Sequence, residues 1–199
     1  AGTADQYGAG LRPQSAPCMK APSLPAYTSV PEPAGAPRLQ GLPPVVSQDT
    51  AVLVLGSFPG GRSLAMGQYY AHPQNHFWRI LQAVWPAHVL PDGYAQRLQW
   101  LLARGLGLWD VYASCEREGS LDTSIRHAVV NDFAALARRL PRLAAMAHNG
   151  GESWRHARHA ASLGLPAHKL PSSSPANACW RFERKLDAWR AVFTQYGLV

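Results

Sequence analysis

VLVLGSFPGG, residues 52–61, sets the reading of the whole chain. Val52 to Leu55 are four aliphatic residues with no polar alternation. Such a run predicts a short strand buried on both faces. Gly56 to Gly61 then predict a tight turn that leaves backbone N–H groups free to approach a phosphate or a base edge. No Gly-Lys-Ser/Thr follows, so the loop is not a P-loop, and it lacks the spacing of the dinucleotide fingerprint. A plain β-to-α turn accounts for the same glycines.

Outward from this stretch the pattern alternates. Helices are expected over 75–85, with Phe77, Trp78, Leu81 and Val84 near one face, and over 92–104. LGLWDVY (106–112) reads as a second strand. A helix is expected over 131–140, with Asn131 and Asp132 as plausible caps. A strand over 143–148, a helix over 153–163, a short strand AHKL (167–170) and a long final helix over 177–196 complete the series. Strands that alternate with helices predict a parallel sheet covered on both faces. Residues 1–44 are rich in proline and alanine and have neither period, which predicts an irregular leader before a folded domain over 45–199.

In open α/β sheets, ligands bind outside the carboxyl ends of the strands. GSFPGG follows the first strand, Asp110 lies near the end of the second, HNGG (148–151) ends the third, and LPSSSPAN (170–177) ends the fourth. All four positions carry small or polar residues. Asn149 can offer a donor and an acceptor to a base edge, and it also suits a turn. Ser172, Ser173 and Ser174 can grip a phosphate backbone, while Ser174 or Asn177 can equally cap a helix. In QYYAHPQNHFW (68–78), Tyr69 or Tyr70 is placed to stack on a planar ligand, and Asn75 to cap a helix or hold a water. GSLDTSIR (119–126) is a long connection in which Arg126, with Arg117, is a phosphate contact or part of a solvated loop.

Composition narrows the classes. The 199 residues carry 19 Lys and Arg against 12 Asp and Glu, a net charge of +7, which favours polyanionic partners such as nucleic acid. Cys18, Cys115 and Cys179 are far apart, which argues against a cysteine-built metal site and fits a reducing, cytoplasmic compartment. No apolar run approaches the ~20 residues that span a bilayer, and the N-terminus lacks a secretory pattern.

Taken in order, LGSFPG, QYYAHPQNHFW, GLWDVYASCEREGSLD, HNGG and LPSSSPAN resemble the uracil-DNA glycosylase superfamily, most closely its hypoxanthine (deoxyinosine) branch, over residues 40–195. The resemblance implies a three-layer α/β/α sandwich around a mostly parallel four-stranded sheet. It implies a monomeric, cofactor-free and metal-free enzyme that hydrolyses the N-glycosidic bond of a deaminated base flipped out of DNA. Hypoxanthine is the first substrate expected, with uracil or mismatch-directed cleavage as the alternative. Carried over by motif, Asn75 orients the water, and Tyr70, Gly56, Ser57, Phe58 and Asn149 surround the base. Ser172, Ser173, Ser174, Asn177 and Arg126 contact DNA, and His72, Asp110 and Ser120 complete the pocket.

Two positions depart from the superfamily pattern. Phe58 stands where relatives place a water-handling Asp or Asn, and Leu170 where they often place His or Asn. These departures also suit a non-catalytic DNA-binding member of the fold. A hydrolase of free nucleosides is a third alternative, against which the positive charge argues. Lys169, beside the last motif, is the amine a Schiff-base lyase would use, although hydrolysis alone is the expected chemistry.

Overall fold

The computed structural model describes residues 37–199. Its central sheet contains β2 (Val52–Gly56), β3 (Leu106–Asp110), β6 (Ala145–Asn149) and β7 (Ala167–Leu170). The strand order is β3-β2-β6-β7 and every pairing is parallel. All five residues of β2 are buried, as the unbroken aliphatic run requires.

Side chains alternate across this central strand and so divide the core in two. Val52 and Val54 join Phe77, Ile80, Leu81, Leu101, Trp189 and Phe193 on one face. These come from α2 (Phe77–Val84), α3 (Tyr94–Leu102) and α7 (Phe182–Gln195). Leu53 and Leu55 join Phe58, Val111, Phe133, Leu136 and Ala160 on the other. That layer includes α4 (Phe133–Ala137) and α6 (Arg158–Ser162). Two helical layers about one parallel sheet are the three-layer sandwich expected. Asp132 caps α4 by accepting from Ala135 N at 2.8 Å. α1 (Gly61–Met66) and α5 (Gly151–Trp154) follow β2 and β6 directly.

Four expectations need correction. The strand over 106–112 is not continuous: it breaks at Val111, and β4 (Tyr112–Glu116) enters a second, antiparallel sheet of order β1-β4-β5. At the break Val111 N bonds Gly56 O and Tyr112 N bonds Ser57 O, so the chain crosses the end of β2. In the second sheet, β5 is Arg126–Val130 and β1 is Arg38–Gln40, the latter inside the stretch expected to be irregular leader. Residues 1–36 of that leader, Cys18 among them, lie outside the described residues. The last helix begins at Phe182, not at 177. Asn177 N bonds Ser174 O, and Asn177 Nδ2 bonds Ser172 O at 3.1 Å, a local alternative to helical pairing. Finally, the helix expected over 153–163 is split into α5 and α6.

Candidate active site

The carboxyl ends of all four parallel strands open onto one cavity of about 920 Å³. Gly56 to Gly61, Asp110, Asn149 to Gly151 and Leu170 to Asn177 all line it. Tyr70, His72 and Asn75 line it from the loop before α2, and Ser120 to Thr123 from the connection before β5.

Asn149 ties two walls together. Its Oδ1 accepts from Ser173 N at 2.8 Å, which fixes the orientation of the amide. Its Nδ2 then donates to Ser173 Oγ at 2.8 Å and to Tyr70 Oη at 3.2 Å. Both amide protons are therefore engaged within the protein. Asn149 holds the wall. Ser173, expected on the DNA, is fully buried for the same reason. Its carbonyl accepts from His76 N at 2.9 Å, which joins this loop to the start of α2. Gly150 has φ 105°, and a Cβ there would stand 3.0 Å from Ser172 Cβ, so the strand end reaches this loop only without a side chain.

Tyr70 is half-buried and has φ 55°, a conformation that costs a bulky residue of order 1–3 kcal/mol. The surroundings hold it there. Phe77 stacks on the ring at 3.9 Å between centroids and 20° between planes. One face of the phenol is thus backed by core, and the ring lines the cavity. Tyr69 next to it is structural: it is buried, and its hydroxyl donates to Pro43 O at 3.1 Å.

Asn75 stands one residue before His76, the N-cap of α2, which has no side-chain cap bond. The Asn75 Oδ1 accepts from Phe77 N at 2.9 Å, an Asx turn that leads the chain into the helix. An amide oxygen has two lone pairs, so one lone pair and the NH₂ are left for a water or ligand in the cavity. No group of three or more His, Cys, Asp or Glu side chains placed to hold a metal ion occurs among the described residues.

Phe58 is buried in the second core cluster, with the Arg117 guanidinium 5.0 Å from its ring centre. It anchors the loop. Arg117 is itself buried and donates to Pro59 O at 2.6 Å and Gly119 O at 3.1 Å, so it clamps two loops; its Nη1 has no partner among the described residues. Ser57 Oγ donates to Asp122 Oδ1 at 2.6 Å, and Ser120 Oγ accepts from Gly61 N at 2.9 Å. The connection over 119–126 is therefore bound to the glycine loop. Arg126 does not join the cavity: its guanidinium is folded onto Thr123 O and Ile125 O. Ser172 and Ser174 form short turns with the backbone, accepting from Ser174 N and Ala176 N at 3.2 Å each. His72 is exposed at the rim, where Nδ1 accepts from Gln74 N at 3.2 Å.

Sequence reasoning missed Asp122 and Trp180 as lining residues. Asp122 lay within the long connection, but only the fold shows it against Ser57. Trp180 lies in the stretch expected to be helix.

Asp110 ends β3 and is 4% exposed. Its Oδ2 is buried without a hydrogen-bond partner. A Cβ on Gly56 would come within 2.3 Å of its Oδ1, so glycine is required beside it. Burial, reinforced by the Asp122 carboxylate and opposed by Arg117, pushes this carboxyl up to about 7. Burial, with Asp110 second, also pushes the Tyr70 phenol up.

The model of the uracil DNA glycosylase superfamily matches residues 43–193. The chain is 37% identical over 156 residues to a protein of Methanosarcina barkeri named hypoxanthine DNA glycosylase, covering 78% of this chain and 98% of that one. It is 35% identical over 155 residues to a Methanosarcina acetivorans protein of the same name, covering 77% and 97%. A solution NMR structure from M. acetivorans, provisionally named a uracil DNA glycosylase, is similar with TM-score 0.72 at 34% identity, covering 80% of this chain and 99% of that one.

Proposed function

The chain belongs to the uracil DNA glycosylase superfamily, and from that premise we propose that it is a DNA glycosylase whose main substrate is hypoxanthine in DNA. The observation that carries the reading is the Tyr70 ring, backed by Phe77, in the wall of the same cavity as the Asn75 amide. A planar base needs the first and a water beneath the sugar needs the second.

In this reading the lesion leaves the duplex and its base lies against the open face of Tyr70. Flipping costs a few kcal/mol, least where the base is poorly paired, as deaminated bases are. The C1′–N bond breaks toward an oxocarbenium-like sugar, with the bonding electrons going to the base. A water then adds to C1′ and gives up a proton to solvent, and the anionic base takes up one proton from solvent as it leaves. Asn75 is a poor base, but its free lone pair orients that water while its other lone pair holds the Asx turn onto Phe77 N. Asn149 contributes by fixing Tyr70 and Ser173, and the glycine loop by bringing backbone close to the ligand.

DNA is the partner, and the exposed turns of the serine-proline loop, with Asn177, are the proposed contacts to its backbone. A monomer working in the cytoplasm is part of the proposal. The test is a panel of duplexes, each with one hypoxanthine, uracil or xanthine, scored for alkali-labile sites. Hypoxanthine is expected to be released fastest, and DNA binding without release at any lesion would replace the enzyme with a binding protein.

A further inference from the structure

Asp110 is a buried acid at the cavity wall. Its Oδ2 has no hydrogen-bond partner among the described residues, and the backbone beside it is glycine. The position where a Gly56 Cβ would stand is 2.3 Å from Asp110 Oδ1 and 3.5 Å from Tyr70 Oη, so carboxyl and phenol flank one point of the wall. A buried polar group without a partner is costly, and such groups persist where a ligand completes them.

Burial first, then the Asp122 carboxylate, favours the neutral form, and Arg117 opposes it. Tyr69 and Tyr70 face the carboxyl from the loop after α1, Arg117 from the end of β4, and Asp122 from the turn before β5. Arg117 is the only cation of this set; its Nε and Nη2 bond Gly119 O and Pro59 O, and its buried Nη1 has no partner among the described residues. Asp122 adds negative charge nearby. A neutral carboxyl presents an O–H donor, whereas a carboxylate presents acceptors only.

Resting on the glycosylase reading above, we propose that Asp110 is a further catalytic residue, which as a neutral acid donates a hydrogen bond to the carbonyl edge of the extruded base. As the C1′–N bond breaks, its electron pair passes into the base and charge grows on that carbonyl. A donor already in place at a buried position stabilises this charge more than the ground state. No proton need leave Asp110, so the acid is intact for the next turnover.

The sign of the pH dependence follows. The donor is present below the titration of Asp110 in the folded protein and is lost as pH rises through it, near 7. The test measures hypoxanthine release in single turnover, with saturating whole protein, from pH 5.5 to 9. The expected wild-type rate is flat at acid pH and falls steadily above neutrality. Asp110→Asn keeps an N–H donor without the titration, so its profile is expected to be flat. Asp110→Ala is expected to be flat and about 100-fold slower than wild type at acid pH. Asp122→Asn removes the like charge and is expected to move the falling limb to lower pH. A wild-type rate that rises with pH, or an unchanged limb in Asp110→Asn, overturns the proposal. Should Asp110→Asn fail to fold, the wild-type profile and Asp122→Asn decide between the same outcomes. Absence of release by wild type at every pH would instead strike the glycosylase reading itself.

Discussion

Asn149 Nδ2 donates to Tyr70 Oη at 3.2 Å across 79 positions of sequence, and this single amide joins the end of β6 to the aromatic wall of the cavity. Asn149→Ala would leave Ser173 N and Oγ buried without partners, at a cost of about 2 kcal/mol. The expected result is a lower Tm together with slower base release. A melt and a single-turnover assay on the same preparation check both.

Tyr70→Phe keeps the stack on Phe77 and loses only the long bond to Asn149. Its rate is expected to stay within about tenfold of wild type. Tyr70→Ala removes a stacking surface worth about 1–3 kcal/mol per base, so a drop of ~10- to 100-fold is expected in binding to lesion DNA relative to undamaged DNA. Titration with both duplexes separates the two variants.

Asn75→Ala removes both the Asx turn onto Phe77 N and the water position. Stability should fall by about 1 kcal/mol, and base release by about 100-fold or more, with DNA affinity nearly intact. Asn75→Asp keeps the turn and should recover the stability. If release survives Asn75→Ala, the residue only holds the turn.

Asp110 also makes stability depend on pH. Its folded titration lies near 7 against 3.8 for an ordinary Asp, so the unfolded chain ionises first. Stability from this group is full below about pH 4 and declines as pH climbs toward 7, where the loss levels off. The difference amounts to an order of 4 kcal/mol at about 1.4 kcal/mol per unit. Asp110→Asn should therefore be more stable than wild type at pH 8 by up to that amount, and equal to it near pH 4. Denaturant titrations at the two pH values measure this.

The parallel sheet was legible because Val52–Leu55 is an unbroken apolar run followed by a turn, and strand-like and helical stretches alternate along the chain. Val52–Leu55 and Ala167–Leu170 fall where the pattern places them. The second sheet was not legible. β5 is half exposed and its pairing with β4 is interrupted by register shifts, so neither an apolar run nor a clean alternation marks it. The same split holds in the cavity. Small and polar residues after each strand announced a site, but their division of labour is tertiary. Ser172 and Ser173 are alike in sequence; only the approach of Asn149 makes Ser173 a buried brace. Likewise, nothing in LGLWD says that Asp110 lacks a partner, because that depends on Gly56 and on where Arg117 points.

The most direct measurement is free hypoxanthine by mass spectrometry after the protein is mixed in excess with a duplex carrying one deoxyinosine. The account predicts one equivalent of free base and one abasic site per duplex, both lost in Asn75→Ala while the duplex still binds. Bound duplex with its hypoxanthine still attached, in the wild-type protein, would contradict it.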